Sequence, residues 1–124
     1  MKVFLIGSFK EREKIEAWFQ KINSLENTEI IYDWTKHTFQ DNRKELALEN
    51  FDALENCDIF VFDVGEQGSL GKSILLGAAM VLNKPVFIIG QFPEIIFGEL
   101  IPNENKFEKF DDFFEFLKSR REFI

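Results

Sequence analysis

The segment CDIFVFDVGEQGSLGKSILLGAAMVLNKPVFIIG, residues 57–90, contains two short apolar runs separated by a glycine-rich loop and a longer apolar stretch. The runs at 58–64 and 84–90 are almost continuously hydrophobic, which is typical of parallel strands covered on both faces. Residues 73–82 between them, SILLGAAMVL, are apolar on nearly every side and predict a buried helix. This order of strand, helix and strand predicts a crossover unit in a parallel sheet.

The rest of the chain repeats the alternation of strand and helix patterns. We expect one domain, residues 1–124, with the fold of a three-layer α/β sandwich. Its parallel sheet should have four to five strands in the flavodoxin-like or Rossmann-like order 2-1-3-4. Outside the opening segment, the patterns predict a strand at 2–7, a helix on Ile15, Trp18, Phe19 and Ile22, a strand at 28–34, a helix at 41–57, an irregular or short helical segment at 92–102 and a helix at about 107–121.

Composition and charge argue against several classes of protein. The net charge of −7 disfavours a polyanion such as duplex DNA as the main partner, although it leaves room for a small nucleotide. No apolar run approaches the roughly 20 residues of a membrane span. The sequence also lacks a basic region followed by a cleavable apolar stretch. Cys57 is the only cysteine, so an internal disulfide is impossible, and we expect a cytoplasmic protein.

The loop GEQGSLGKS at 65–73 looks like a nucleotide-binding P-loop. Such a loop needs four residues between its first glycine and the Gly-Lys pair, which here requires a glycine at position 66. Glu66 stands there, and Gly65 is one residue too distant, so the sequence argues against a P-loop. A receiver domain would need paired acids after the first strand, where Gly7 and Ser8 stand instead.

Sheets of this type bind ligands beyond the carboxyl ends of their strands, at the point where the strand order reverses. In the predicted order, that point lies between the first and third strands. The loops GSFK at 7–10 and DVGEQGSLG at 63–71 should therefore lie side by side and form a ligand site. We predict no metal and no cofactor at this site.

Three stretches give the chain a family resemblance: MKVFLIGSF at 1–9, YDWTKH at 32–37 and the opening segment 57–90. With FGELIPNENKFEKFDDFFEFL at 97–117, their order and spacing resemble the small nucleoside 2-deoxyribosyltransferase-like proteins, a group that includes deoxynucleotide N-glycosidases. The resemblance implies cleavage of the bond between a sugar and a base. In that chemistry, a glutamate one turn into the helix attacks the anomeric carbon and forms a covalent glycosyl intermediate.

The positions that the resemblance assigns to catalytic acids are neutral in this chain. Leu75 stands immediately before LGAA, in the place of the nucleophilic glutamate. Asn50, eight positions before Asp58, and Ser69, six positions before Leu75, stand in the places of two family aspartates. The apolar pattern that forms the fold is intact, so the resemblance implies a binding protein whose catalysis is impaired.

The resemblance and the helix start after the loop also indicate ligand-binding residues. The family's first loop approaches the sugar or its phosphate, and the positive end of a helix favours anions. Trp34 either stacks on a base or packs internally, and Lys72 is either a phosphate ligand or a solvated surface lysine. His37 is expected at the surface. The predicted ligand-binding residues are Gly7, Ser8, Phe9, Asp33, Trp34, Asp63, Gly65, Gly68, Ser69, Gly71 and Lys72.

Three functions remain open at this point. The first is a nucleoside-binding or nucleotide-binding protein with impaired catalysis, whose partner is a small molecule. The second is an active N-glycosidase or deoxyribosyltransferase that uses a relocated acid, for which Glu66 is the candidate because it lies in the loop facing the same site. The third is a non-catalytic interaction module whose phenylalanine-rich surface matters more than any ligand.

Phenylalanine is unusually frequent, with 16 in the chain. Near the C-terminus, apolar residues recur at helical spacing among charges, which predicts either an amphipathic helix that closes the fold or a subunit interface. With the segment FPEIIF at 92–97, this stripe offers more apolar surface than one small domain readily covers. We therefore expect a homodimer or a larger assembly. The stripe consists of Phe107, Phe110, Phe113, Phe114 and Leu117.

Overall fold

Five parallel strands form one sheet in the order β2-β1-β3-β4-β5. The computed structural model describes residues 1–38, 41–66 and 68–120. The predicted order 2-1-3-4 is confirmed, and a short fifth strand extends the sheet beyond β4. The strands are β1 (Lys2–Ile6), β2 (Glu29–Ile30), β3 (Ile59–Asp63), β4 (Val86–Ile89) and β5 (Lys106–Phe107).

Four α-helices cover the sheet and complete the predicted three layers. The ring of Trp18 in α1 stacks on Phe110 in α4 with centroids 4.6 Å apart, so these two helices share one side of the sheet. The other two helices, α2 and α3, contact each other. No described helix is long and apolar enough to cross a membrane. The helices are α1 (Arg12–Asn23), α2 (Arg43–Asn56), α3 (Leu70–Val81) and α4 (Phe110–Arg120).

The strand β3 lies at the centre of the core. All five of its residues are buried, and it pairs with β1 on one side and β4 on the other. The ring of Phe60 packs edge to face on Phe4 of β1, with centroids 5.6 Å apart. Because a strand covered on both faces needs apolar side chains at every position, the continuous hydrophobic run at 58–64 identified it correctly.

The second strand is shorter than predicted, and the difference has a local cause. The sequence pattern suggests a strand over 28–34, whereas β2 ends at Ile30. The Asp33 side chain accepts a hydrogen bond of 3.0 Å from the Thr35 N–H and caps a 3-10 turn at Trp34–Lys36. An aspartate that bonds the backbone two residues ahead favours a turn over an extended strand.

The aromatic stripe near the C-terminus closes the fold of one protomer. The side chains of Phe110, Phe113 and Leu117 are buried, and Phe113 packs on the rings of Phe87 and Phe107. The amphipathic closing helix is therefore the correct interpretation of these three positions. The helix begins at Phe110 and not near 107, because residues 106–107 pair with β4 as β5. Its predicted last residue, 121, lies outside the described residues.

The segment at 92–102 forms a 3-10 turn at Ile96–Leu100 that leaves apolar side chains at the surface. A second 3-10 turn at Asn103–Asn105 leads into β5, and another at Phe9–Glu11 precedes α1. The end of β4 turns at Gly90, whose φ of +104° is readily adopted only by glycine. These turns bring the apolar 3-10 segment alongside α3.

Candidate functional site

A cavity of about 540 Å³ opens at the carboxyl ends of β1 and β3, between the first loop, α2 and the start of α3. This is the point at which the strand order reverses, so the predicted location of the ligand site matches a real cavity. The residues singled out from the sequence that line it are Gly7, Phe9, Trp34, His37, Asn50, Ser69, Gly71, Lys72 and Leu75.

Leu75, Asn50 and Ser69, which stand where the resemblance expects acids, all lie in the wall of this one cavity. Leu75 is buried on α3, and Asn50 faces it from α2. The Asn50 amide donates a hydrogen bond of 2.8 Å to the Leu46 carbonyl, and the Ser69 hydroxyl accepts the Lys72 N–H as the cap of α3. Among the described residues, neither an aspartate nor a glutamate lines the cavity. The cavity wall therefore offers hydrogen-bonding groups but no carboxylate.

Aromatic residues form the wall on the side of the first loop. Trp34 is buried, and its indole N–H donates a hydrogen bond of 2.7 Å to the Leu5 carbonyl at the end of β1. The rings of Phe9 and Phe19 lie 6.1 and 6.2 Å from it. Trp34 therefore packs internally and presents only part of its ring to the cavity, while Asp33 shapes the turn and does not appear in the wall.

Lys72 is a buried lysine, not the solvated surface residue that the sequence left as one alternative. Its ammonium donates hydrogen bonds to the carbonyls of Asp63 at 2.9 Å and Val64 at 2.6 Å, and lies 5.2 Å from the Phe62 ring centroid. Burial lowers the pKa of Lys72, and the carboxylates of Asp63 and Glu11 oppose this effect. The ammonium thus ties α3 back to the end of β3.

Asp63 is buried at the end of β3 and pairs with a residue that the sequence did not reveal. Lys14 Nζ lies 3.0 Å from Asp63 Oδ2 and 2.9 Å from Glu11 Oε2. No described residue donates a well-aligned hydrogen bond to Asp63 Oδ2. The charge of this oxygen is therefore compensated by the ion pair with Lys14. Burial raises the pKa of Asp63, and the lysine offsets only part of the shift. Lys14 and Glu11 stand far from Asp63 in the chain, which is why no local pattern indicated them.

The structure does not bring Glu66, the candidate relocated acid, to the cavity. Its side chain is exposed, and its backbone N–H donates a hydrogen bond of 3.2 Å to Glu11 Oε1. Gly65 beside it has a φ of +59°, and it also lies outside the described cavity wall. Ser8 is buried in the first loop but is likewise not among the wall residues.

The rim of the cavity carries the only histidine of the chain between two carboxylates. His37 Nδ1 lies 3.1 Å from Asp41 Oδ2, and its Nε2 lies 3.7 Å from Glu49 Oε1. The Tyr32 hydroxyl donates a hydrogen bond of 2.8 Å to the same Glu49 oxygen. Burial and this bond raise the pKa of Tyr32. His37 is thus a partly exposed residue of the cavity wall, and each of its ring nitrogens faces a carboxylate.

A second cavity of about 710 Å³ lies on the other side of α3, against the 3-10 segment at 96–100. Its wall is mostly apolar, and it includes Gly68, the one predicted ligand-binding residue found only here. Ser69 and Lys72 line both cavities, so the start of α3 forms the partition between them.

Comparison with solved structures supports the fold that the resemblance implied. The CMP N-glycosidase of Clostridium botulinum superposes with a TM-score of 0.68 at 21% identity, over 96% of this chain and 99% of that chain. The 2-deoxyribosyltransferase of Bacillus psychrosaccharolyticus gives a TM-score of 0.62 at 18% identity, over 91% and 90%. No protein-family model and no curated protein matches the sequence. The chain therefore has the nucleoside 2-deoxyribosyltransferase-like fold.

The position of Lys72 predicts that it stabilises the folded protein. Replacing it in Lys72→Met keeps the apolar stem but leaves the Asp63 and Val64 carbonyls without their donor. We expect the free energy of unfolding to fall by about 2–4 kcal/mol, measured by denaturant titration. Lys36→Met is the matched control, because Lys36 is exposed and 3.6 Å from Glu16, and should change stability by less than about 0.5 kcal/mol. Equal midpoints for the two variants would contradict this role.

Proposed function

We propose that this protein binds a nucleoside or nucleotide in the cavity at the ends of β1 and β3, and that it cleaves the sugar–base bond poorly or not at all. One observation supports this proposal above all others. Leu75, Asn50 and Ser69 converge on the wall of one cavity, and each stands where the family resemblance expects an acid.

The cavity suits a small flat ligand with polar substituents. Its volume of about 540 Å³ falls within the roughly 300–1,000 Å³ of small-molecule sites. Phe9, Trp34 and Phe51 provide aromatic surface for a base, while Asn50 and Ser69 provide hydrogen-bonding groups for a sugar. Both solved structures of similar fold are of proteins named for nucleotide or deoxyribosyl chemistry, which favours the same class of ligand.

A phosphate on the ligand would meet the start of α3. Ser69 and Gly71 lie there in the cavity wall, where the first backbone N–H groups of the helix favour an anion. Lys72 contributes positive charge at short range, although two carbonyls already occupy its ammonium. We therefore propose that backbone N–H groups at the start of α3 hold any phosphate by hydrogen bonds. Lys72 contributes electrostatic attraction without a direct hydrogen bond.

The impaired catalysis follows from the chemistry that the wall lacks. A leucine cannot attack the anomeric carbon, ionise, or stabilise an oxocarbenium-like centre. Asp63 is a buried acid at the end of β3, but it is paired with Lys14 and does not line the cavity. An active enzyme would need Glu66 to move from its exposed position into the cavity.

The cellular and assembly proposals rest on other residues. We propose a cytoplasmic protein, because Cys57 is the only cysteine in the sequence and is a buried free thiol. We also propose a homodimer or larger assembly through the face formed by α3 and the 3-10 segment at 96–100. Large apolar side chains are exposed there, with Val81 at 83% and Ile96 at 79%. The C-terminal stripe contributes less to this proposal, because Phe110, Phe113 and Leu117 are buried in the protomer.

Ligand binding predicts a stabilised native state. In a panel of the common deoxynucleosides and their monophosphates, at least one compound should raise the melting temperature, because it binds only the folded protein. Monophosphates should raise the melting temperature more than the corresponding nucleosides if the start of α3 holds an anion. Equal shifts for both classes would remove the phosphate proposal. A panel with no shift at all would favour the interaction module instead.

The neutral acid positions predict little or no release of base from deoxynucleosides by the wild-type protein, assayed by chromatography after long incubation. Leu75→Glu should introduce weak activity, because the start of α3 favours an ionised carboxylate one turn inside the helix. The triple variant Leu75→Glu, Asn50→Asp, Ser69→Asp should be more active, since it also restores the two carboxylates that the resemblance assigns to the site.

The opposing control for the catalytic proposal is Glu66→Gln. An inactive wild type makes this variant uninformative, and an active wild type makes it decisive. If the wild type is active and Glu66→Gln abolishes the activity, the protein is an enzyme with a relocated acid, and the binding-protein proposal is wrong.

The exposed apolar face predicts a mass of at least two protomers by light scattering at micromolar concentration. Val81→Glu should shift the population toward the monomer, because it introduces charge into the centre of this face. Glu115→Lys on the exposed side of α4 is the matched control and should leave the mass unchanged. A monomeric wild type would refute the assembly.

A further inference from the structure

The segment from Asp63 to Glu66 leaves the sheet between two charged side chains of opposite sign. On the α3 side, the Lys72 ammonium donates to the carbonyls of Asp63 and Val64. On the α1 side, the Glu11 carboxylate accepts the Glu66 N–H at 3.2 Å. The Lys72 ammonium therefore binds two carbonyl oxygens of this loop, and the Glu11 carboxylate binds one N–H group. Each charge meets the end of the peptide dipole with the opposite sign.

The contact between Glu11 and this loop is unusually close. A Cβ atom added to Gly65 would overlap Glu11 Oε1, so the carboxylate would have to move away from the loop. The positive φ of Gly65, +59°, also favours glycine. Glu11 thus lies directly against the backbone of the loop.

Lys14 extends the contact to the strand end. Its ammonium lies between Glu11 Oε2 and Asp63 Oδ2, and 4.9 Å from the ring centroid of Trp18. Partial burial lowers the pKa of Lys14, but the bonds to Glu11 and Asp63 outweigh this effect and raise it. Glu11, Lys14 and Asp63 therefore join the first loop, α1 and the end of β3 in one ionic chain, which we call the loop clamp.

We infer that the loop clamp positions the start of α3 for ligand binding, with Glu11 and Lys14 as positioning residues outside the cavity. The segment that they hold precedes Ser69 and Gly71 in the chain, and both of these residues line the cavity. Neither Glu11 nor Lys14 is a wall residue, so they act on a ligand from a distance, by holding this loop. The effect on affinity rests on the proposed function, whereas the effect on the loop does not.

The first experiment measures how strongly the Glu66 N–H is protected from hydrogen exchange in the absence of a ligand. Amide hydrogen exchange of the Glu66 N–H, followed by NMR, should be about tenfold faster in Glu11→Ala than in the wild type, because a charge-assisted bond is lost. Glu11→Gln keeps an oxygen acceptor and should restore much of the protection. Glu13→Ala, at an exposed glutamate two residues away, is the matched control and should leave the exchange unchanged. Unchanged exchange in Glu11→Ala overturns the inference.

The second experiment tests Lys14 through the titration of Asp63, which faces Lys14, Glu11 and, from α3, Lys72. Lys14→Met removes the ammonium that offsets the burial of Asp63, so the pKa of Asp63 should rise further. A raised folded-state pKa means that the native state holds the proton more tightly than the unfolded chain. The stability deficit of Lys14→Met relative to the wild type should therefore grow toward neutrality, as the pH rises through the wild-type native pKa of Asp63, which lies above the ordinary value of 3.8. A deficit independent of pH overturns the pairing.

The third experiment links the loop clamp to the cavity, with cytidine monophosphate and deoxycytidine as probes in calorimetry. If the wild type binds either probe, Glu11→Ala should weaken it about tenfold, Glu11→Gln less, and Glu13→Ala not at all. Faster Glu66 exchange with unchanged affinity overturns the positioning role. If the wild type binds neither probe, a compound of the panel that it does bind replaces them. If it binds no compound of the panel, the nucleotide-binding proposal fails, and the exchange data alone then support or overturn the loop clamp.

Discussion

The buried ammonium of Lys72 is the interaction on which the candidate site depends. A parallel strand that leaves its sheet exposes carbonyls that the neighbouring strands no longer satisfy, and unpaired buried carbonyls are costly. Lys72 reaches back from the first turn of α3 to two of them, in Asp63 and Val64. Its backbone N–H is capped by Ser69 at the same helix start. Strand, loop and helix are therefore joined at the wall between the two cavities.

Around that join, the chain has the nucleoside 2-deoxyribosyltransferase-like fold, and no aspartate or glutamate of the described residues lines the cavity. The apolar faces of β1, β3 and β4 form the core, which includes Leu75 but neither Asn50 nor Ser69. The side chains at positions 50 and 69 can therefore change without loss of the sheet. Leucine in particular adds apolar contact at a position where a carboxylate would pay for burial. One fold can host different chemistry in this way, because side chains of a cavity wall can change while the sheet stays the same.

Much of this architecture could be read from local patterns. The short, continuous apolar run of β3 is typical of a strand that is covered on both faces. Because such strands alternate with helices along the chain, the sheet is expected to be parallel. That order alone predicts where the loops after β1 and β3 meet. The helical spacing of Phe110, Phe113 and Leu117 likewise identified a buried face, because each position lies one turn from the next.

The sequence by itself determined the elements, the sheet order and the place of the cavity, because each follows from the periodicity of neighbouring residues. Only the tertiary structure decided how individual side chains are used. Lys72 is buried because carbonyls of β3 lie within its reach, and Glu66 is outside the cavity because its loop bends toward Glu11. Lys14 is paired with Asp63 because α1 passes beside β3. These contacts join residues distant in the chain, and no local pattern records such distances.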